Sequence, residues 1–128
     1  MNLLLDTHVA LWAITDNHNL SDIARALIQA PRNTLWVSTV SLWEISIKHS
    51  LGRGDMPVSG TDALQYFSQA GYHLLSIEPE HAVGVEGLPK LHQDPFDRLL
   101  VAQALAEPMR LLTQDRTVSS YSDTIILV

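Results

Sequence analysis

The sequence predicts an α/β protein built on a mostly parallel sheet. Three observations carry this. Short apolar runs rich in strand-forming residues recur at Asn2-Leu5, Thr34-Ser38, Tyr72-Ile77, Arg110-Thr113 and Thr124-Val128. The stretches between them have helical periodicity. The 128 residues also contain no internal repeat, low-complexity tract or linker-like change of composition, so residues 1-128 are expected to form a single domain around one core. Strands that alternate with helices assemble into a parallel sheet with the helices on its faces.

The elements follow in order. The opening run MNLLLD ends in a carboxylate, and Asp6 can cap a helix that begins near Thr7. Ser21 is positioned to cap a helix over Asp22-Ala30. The strand TLWVS leads into a helix that starts near Ser41 and stops at Gly52, a residue suited to the left-handed conformation that ends helices. Residues 53 to 60, RGDMPVSG, read as an exposed, turn-rich loop. Thr61 is expected to cap Asp62-Ala70, with Gly71 as the stop before the third strand. Asp94 followed by Pro95 is the clearest helix start in the chain, because proline lacks only an N–H that the first turn leaves unpaired. Leu99, Leu100, Ala102, Gln103 and Ala104 continue that helix to about Glu107, ahead of Pro108.

Composition narrows the function. The chain has no cysteine, which excludes disulfides and thiolate metal sites and suits a reducing cytoplasm. Residues 1 to 15 lack the basic start of an export signal and are interrupted by Asp6 and His8. No apolar run reaches the roughly 20 residues of a membrane-spanning helix, so no membrane partner is expected. A formal net charge of -6 is the opposite of the usual nucleic-acid-binding footprint, so any nucleic-acid chemistry here requires local positive charge.

Four acids stand where ligand sites form in parallel sheets, at or beyond the carboxyl ends of strands. Asp6 follows the first strand and Asp115 follows the fourth. Glu44 lies in the first turns of the helix after TLWVS, and Asp97 in the first turn of the helix capped by Asp94. Two carboxylates about 4 Å apart repel by roughly 4 kcal/mol at an effective dielectric of 20, so a cluster of four holds protons or binds cations. Hard divalent ions, Mg²⁺ or Mn²⁺, match oxygen ligands, and such ions can activate water against a phosphodiester. The expected reaction is metal-dependent phosphodiester hydrolysis.

The motifs LLLDTH, SLWEIS, HQDPFDRLLVAQA and LLTQDRTV, in that order, resemble PIN-domain nucleases, and most closely the VapC-like toxins of type II toxin–antitoxin systems. The resemblance spans essentially the whole chain. It implies a three-layer α/β/α arrangement with a five-stranded parallel sheet, and a site formed by Asp6, Glu44, Asp97 and Asp115. It also implies Mg²⁺ or Mn²⁺ dependence, an RNA substrate, a homodimer and inhibition by a cognate antitoxin.

Each acid also has a purely structural reading. Asp94 and Asp97 stand at the N-cap and N3 positions, where acids accept backbone N–H bonds and complement the helix dipole; for Asp94 that reading is preferred, and for Asp97 it coexists with a metal role. Glu44 can pair with Lys48 one turn on as a solvated helix acid, and Asp115 can start a turn before Arg116. It is their joint occurrence that favours a site.

Hydroxyls of Thr7, Ser38, Thr39 and Thr113 are candidates to orient carboxylates or metal-bound waters. His8 and His92 stand near the acids, but the spacing His92-Gln93-Asp94 is not a zinc pattern. Of the tryptophans, Trp36 is expected in the core, while Trp12 and Trp43 are expected on a dimer or antitoxin surface rather than stacking on bases. Arg53-Gly54-Asp55 matches an adhesion tripeptide that carries almost no weight. Arg98 or Arg116 is expected to touch RNA phosphate, unless it serves as a counter-ion to the acids or meets the antitoxin. The alternatives to a ribonuclease toxin are another acid-cluster metal phosphohydrolase and a non-catalytic PIN-like interaction module. The first lacks a D-x-D-x-T nucleophile motif, since Asp6 is followed by Thr7-His8, and the second does not explain four acids.

Overall fold

A computed structural model describes residues 1–53 and 56–128; Gly54 and Asp55 of the adhesion-like tripeptide lie outside the described residues. The chain builds a five-stranded sheet from β1 (Asn2–Leu5), β2 (Thr34–Ser38), β3 (His73–Leu75), β4 (Arg110–Thr113) and β5 (Ile126–Leu127). The strands lie in the order β3-β2-β1-β4-β5, and each neighbouring pair is parallel. The chain therefore builds outward on one side of β1, then crosses back to the other. The loops after β1 and β4 diverge at this reversal and leave a crevice at the carboxyl edge.

Alternation along β1 divides the core. Leu3 and Leu5 face a cluster that includes Leu112 and Val37, closed by Val9 and Ala10 of α1 (Thr7–Ile14), Ala24 of α2 (Asp22–Gln29), Ile45 of α3 (Thr39–Ser50) and Phe67 of α4 (Gly60–Gln69). Leu4 faces the other way with Leu111 and Leu75, against Leu100, Val101 and Ala104 of α6 (Pro95–Ala106) and Val118 of α7 (Arg116–Ser119). A period of two on a sheet covered on both faces gives the three layers that the family resemblance implied.

The helix punctuation follows local chemistry. Ser21 Oγ accepts the Ala24 N–H at 3.1 Å, and Asp94 Oδ1 accepts the Phe96 N–H at 2.8 Å. Gly52 (φ 70) and Gly71 (φ 80) follow α3 and α4 in the left-handed region where a side chain is strained. The cap of α4 is Ser59 rather than Thr61: its Oγ accepts the Asp62 N–H at 3.1 Å, and the helix begins at Gly60, where a Cβ would stand 1.9 Å from Ser46 Oγ of α3. Close approach of the two helices thus favours glycine in a stretch read from sequence as loop, since a larger residue would have to displace the Ser46 hydroxyl and press on its Cβ.

The third strand is shorter than Tyr72-Ile77. The Tyr72 N–H turns back to the Phe67 carbonyl, and the Ser76 carbonyl is taken by Gln103 Nε2. At the other edge β5 covers only part of Thr124-Val128, although the Val128 N–H still reaches the Thr113 carbonyl. Two further α-helices are not expected from the sequence: α5 (Pro79–Gly84), marked by Pro79 at its first position, and α7, which replaces the turn expected after Asp115.

Candidate functional site

The end of β1 places Asp6 where a cap and a site can be the same residue. Its backbone N–H continues the ladder to the Leu112 carbonyl of β4 at 3.0 Å, and its Oδ1 accepts the Val9 N–H at 2.9 Å. The carboxylate also has Thr113, the last residue of β4, as a side-chain hydrogen-bond partner. Burial pushes the Asp6 carboxyl above its ordinary range, with Glu44 adding to the effect, against the downward pull of Thr113, Val9 and the nearby His8.

Glu44, one turn into α3, is only 3% exposed. Thr7 Oγ1 donates to its Oε1 at 2.7 Å and also meets Ser41 Oγ at 2.9 Å, while Lys48 Nζ binds Oε2 at 2.6 Å. The expected pairing with Lys48 is present, but in a buried setting rather than on a solvated face. A buried carboxylate is tolerable here because each oxygen has a partner.

Asp97 is different in kind. Its own backbone N–H is capped by Asp94, and its carboxyl lies among other acids. Burial, followed by the negative charges of Asp94, Asp6 and Glu44, drives its pKa from 3.8 up to about 7, with only His92 opposing. Asp115, the most exposed of the set, behaves oppositely. Partial burial raises it, but the Val118 N–H, the His92 ring and the Thr117 N–H together outweigh that and hold it below the ordinary range.

All four acids, with Asp94, line one open cleft of about 390 Å³ at the carboxyl edge of the sheet, together with Thr7, His8, Trp12, Lys48 and Gln114. His92 contributes more than its sequence context suggested. Its Nε2 lies 3.1 Å from Asp115 Oδ2 and 3.3 Å from Asp97 Oδ2, clasping the two carboxylates. Its Nδ1 accepts the Asp94 N–H at 3.0 Å, so Nδ1 carries no proton and Nε2–H is the donor to the acids. That tautomer suits a carboxylate clamp and not a metal ligand. Only the fold could reveal this, since 23 residues separate His92 from Asp115.

Several supporting expectations change. Thr7 and Thr113 do orient acids, and the Asp115 N–H also bonds Thr113 Oγ1 at 3.1 Å. Ser38 does not: its hydroxyl caps the Val40 N–H and donates to Gln103 Oε1 at 2.5 Å, and Thr39 is exposed. Arg98 is a poor phosphate contact, because its guanidinium is engaged by the carbonyls of Val85, Pro89 and His92 and by the Tyr121 hydroxyl. It braces the segment that carries His92. Arg116 is exposed beside Asp115 at the start of α7. Trp12 lines the cleft. Trp43 is 53% exposed and meets Phe96 edge-on at 5.0 Å. Trp36 is partly buried against the core, with its indole N–H on Asn2 Oδ1.

A second polar cluster lies outside this cleft. His81 is fully buried; its Nδ1 accepts the Glu78 N–H at 3.0 Å and its Nε2 binds Glu107 Oε2 at 2.6 Å. Gln103 links it to Ser38. As with His92, the accepting Nδ1 makes Nε2 a donor, so the cluster joins α5 to α6 and β2 rather than holding a metal.

The PIN domain family model matches residues 3–123 of the chain. Ribonuclease VapC22 from Mycobacterium tuberculosis is 30% identical over 122 residues, covering 93% of this chain and 91% of that protein. Among solved structures, VapBC2 from Rickettsia felis bound to a promoter DNA fragment has a chain that superposes with a TM-score of 0.72 at 20% identity, covering 100% of this chain and 98% of the other. VapBC-1 from nontypeable Haemophilus influenzae gives 0.63 at 17% identity, with 98% and 95% covered. At these identities the structural likenesses establish the fold. With a family match that begins inside β1 and runs past α7, and an identity of 30% over 93% of its length, the chain belongs to the PIN domain family.

Proposed function

We propose that the chain is a Mg²⁺- or Mn²⁺-dependent ribonuclease, the toxin of a toxin–antitoxin pair, with Asp6, Glu44, Asp97 and Asp115 as metal ligands and catalytic acids. The observation that carries this reading is the meeting of four carboxylates, from four separate segments, in one cleft at the reversal of strand order. Its relative named Ribonuclease VapC22 and its structural neighbours titled as VapBC complexes support the substrate and the antitoxin partner. Residues 1-128 act on this reading as one nuclease domain, paired as a homodimer in the cytoplasm. Among the described residues no helix is long and apolar enough to cross a membrane.

The donor set fits a hard divalent ion. The ligands are carboxylate oxygens, and Asp97, left without a cation, is driven to keep a proton near neutral pH. A bound ion would supply an activated water and stabilise the leaving oxygen of the phosphodiester. The chain's own residues do the rest. Thr7 and Lys48 fix both oxygens of Glu44, Thr113 braces Asp6, and the first turn of α6 offers its N-terminal dipole to Asp97. His92 Nε2–H holds Asp97 and Asp115 at a set spacing, and Asp94 serves by capping α6 and by locking the His92 tautomer. Arg116 is the cation placed to meet RNA phosphate.

The test is cleavage of single-stranded and structured RNAs by wild type, Asp6→Asn and Asp97→Asn, with Mn²⁺ or with chelator. Cutting that requires metal and is lost in both variants is the expected result. Cutting that survives chelation, or that is indifferent to both substitutions, rules the assignment out, and turnover only of small phosphoesters points to a phosphohydrolase instead.

A further inference from the structure

A second cavity of about 440 Å³ adjoins the acid cleft, and the two share a wall: His8 and Trp12 line both. These residues are one turn apart on α1, so they project from the same helix face immediately after Asp6. Their rings lie 5.8 Å apart, inclined at 49°, and form the ridge between the two spaces. The underside of Trp12 packs on the hydrophobic core, which holds the indole in place while leaving it partly exposed. Asn17 and Asn19 supply polar groups on the far side.

That far wall is tied down. The Asn17 N–H bonds the Trp12 carbonyl at 2.9 Å, and Asn17 Oδ1 accepts the Asn19 N–H at 2.8 Å. Gln114 Nε2, from the residue before Asp115, donates to the Asn19 carbonyl at 2.9 Å, and Arg25 holds Asp16 at 2.7 Å. The cavity is thus built from α1 and the turn that follows it, with Pro57 also lining it, and is anchored to the same β4 exit that carries an acid of the cleft.

Building on the ribonuclease reading, we infer that this cavity is a subsite for an unpaired nucleobase of the RNA substrate, stacked on Trp12 beside the phosphodiester held at the acids. The two spaces share the His8–Trp12 wall, so a chain lying along the acids has this cavity directly beside it, across the Trp12 ridge. An aromatic face accepts any base, and the Asn17 and Asn19 amides offer the donors and acceptors that read base edges. Charge points the same way. The chain has 8 basic residues against 14 acidic ones, and Lys48 and Arg98 are engaged by Glu44 and by carbonyls. With Arg116 and the bound ion as the positive charges left to the phosphates, contacts that need no side-chain cation gain weight in holding the RNA. A base within a duplex has both faces covered by its neighbours, so the nucleotide that enters is single-stranded.

The test uses wild type with Mn²⁺ and a single-stranded RNA whose cut position has been mapped, compared with a series carrying one abasic site at each nucleotide flanking the cut. One flanking position should lower kcat/KM by about 5- to 160-fold, the range that one base–aromatic stack supplies. Trp12→Leu should show a similar loss on intact RNA and little further loss on that abasic RNA, while Trp12→Phe keeps most of the rate. The abasic series relies on wild type alone, so it stands even if a variant folds poorly. No cleavage of intact RNA removes both the nuclease reading and the subsite. Cleavage of intact RNA with no flanking abasic site costing more than about twofold removes the subsite alone, as does an abasic loss that persists in full in Trp12→Leu. A Trp12→Leu variant that cuts every RNA like wild type but releases a protein partner assigns the cavity to that partner instead.

Discussion

Asp97→Asn should make the metal-free protein more stable while disabling it, and the pH dependence of the gain is set by the site. In the unfolded chain an aspartate releases its proton near 3.8, whereas in the folded protein Asp97 retains it to about 7. Between those values the folded state holds a proton that the unfolded state has lost, so stability falls as pH rises through this window, and the penalty is complete above about 7. At 1.36 kcal/mol per pH unit this amounts to about 2 to 4 kcal/mol, the lower figure allowing for relaxation around the charge. The Asp97 side chain is 24% exposed, shielded enough for most of that to be felt. For a chain of this size the gain corresponds to roughly 6 to 12 °C in Tm. Thermal unfolding in chelator should show the two proteins nearly equal at pH 4 and the variant ahead at pH 8. Mg²⁺ at about 100 times its dissociation constant should then return about 2.7 kcal/mol to wild type and far less to the variant. A gap that stays flat or shrinks as pH rises, or equal Mg²⁺ shifts in the two proteins, would refute the picture of repelling acids relieved by a cation.

Three further outcomes follow from particular contacts. Thr7→Val removes the donor to Glu44 Oε1 and Ser41 and should cost about 1 to 3 kcal/mol in urea unfolding together with a loss of RNA cleavage, whereas Thr7→Ser keeps both. His81→Leu strands the Glu78 N–H and Gln103 and should destabilise by about 2 kcal/mol or more, yet leave cleavage by the surviving folded protein unchanged, because the cluster lies outside the cleft. The logarithm of RNA affinity against the logarithm of salt concentration should have a slope no steeper than about -1.4, the value for two phosphates on a single strand; a steeper slope would mean that binding is mainly ionic.

Much of the fold was legible because its signals are local. The apolar runs at Asn2–Leu5, Thr34–Ser38 and Arg110–Thr113 mark the three central strands, and Ser21, Asp94, Gly52 and Gly71 mark helix ends through bonds or φ values within a few residues. The misreadings arose where a distant partner intervened. Gly60 fits the first turn of α4 against Ser46 of α3, a contact that the sequence does not display, and Ser38 turns to Gln103, 65 residues away, instead of to the acids.

The sequence by itself determined the alternation of strands and helices, the acids at strand exits and the scarcity of basic residues, since these reside in residue order and composition. Only the tertiary structure decided that β4 lies beside β1, and with it that Asp6 and Asp115 line one cleft. It likewise decided the raised proton affinity of Asp97, the His92 clamp, the diversion of Arg98 into a brace and the shared wall at Trp12. The physical reason is range: hydrogen-bonded caps and hydrophobic periodicity act over a few residues of chain, whereas desolvation and charge repulsion depend on distances in space that exist only once the sheet is assembled.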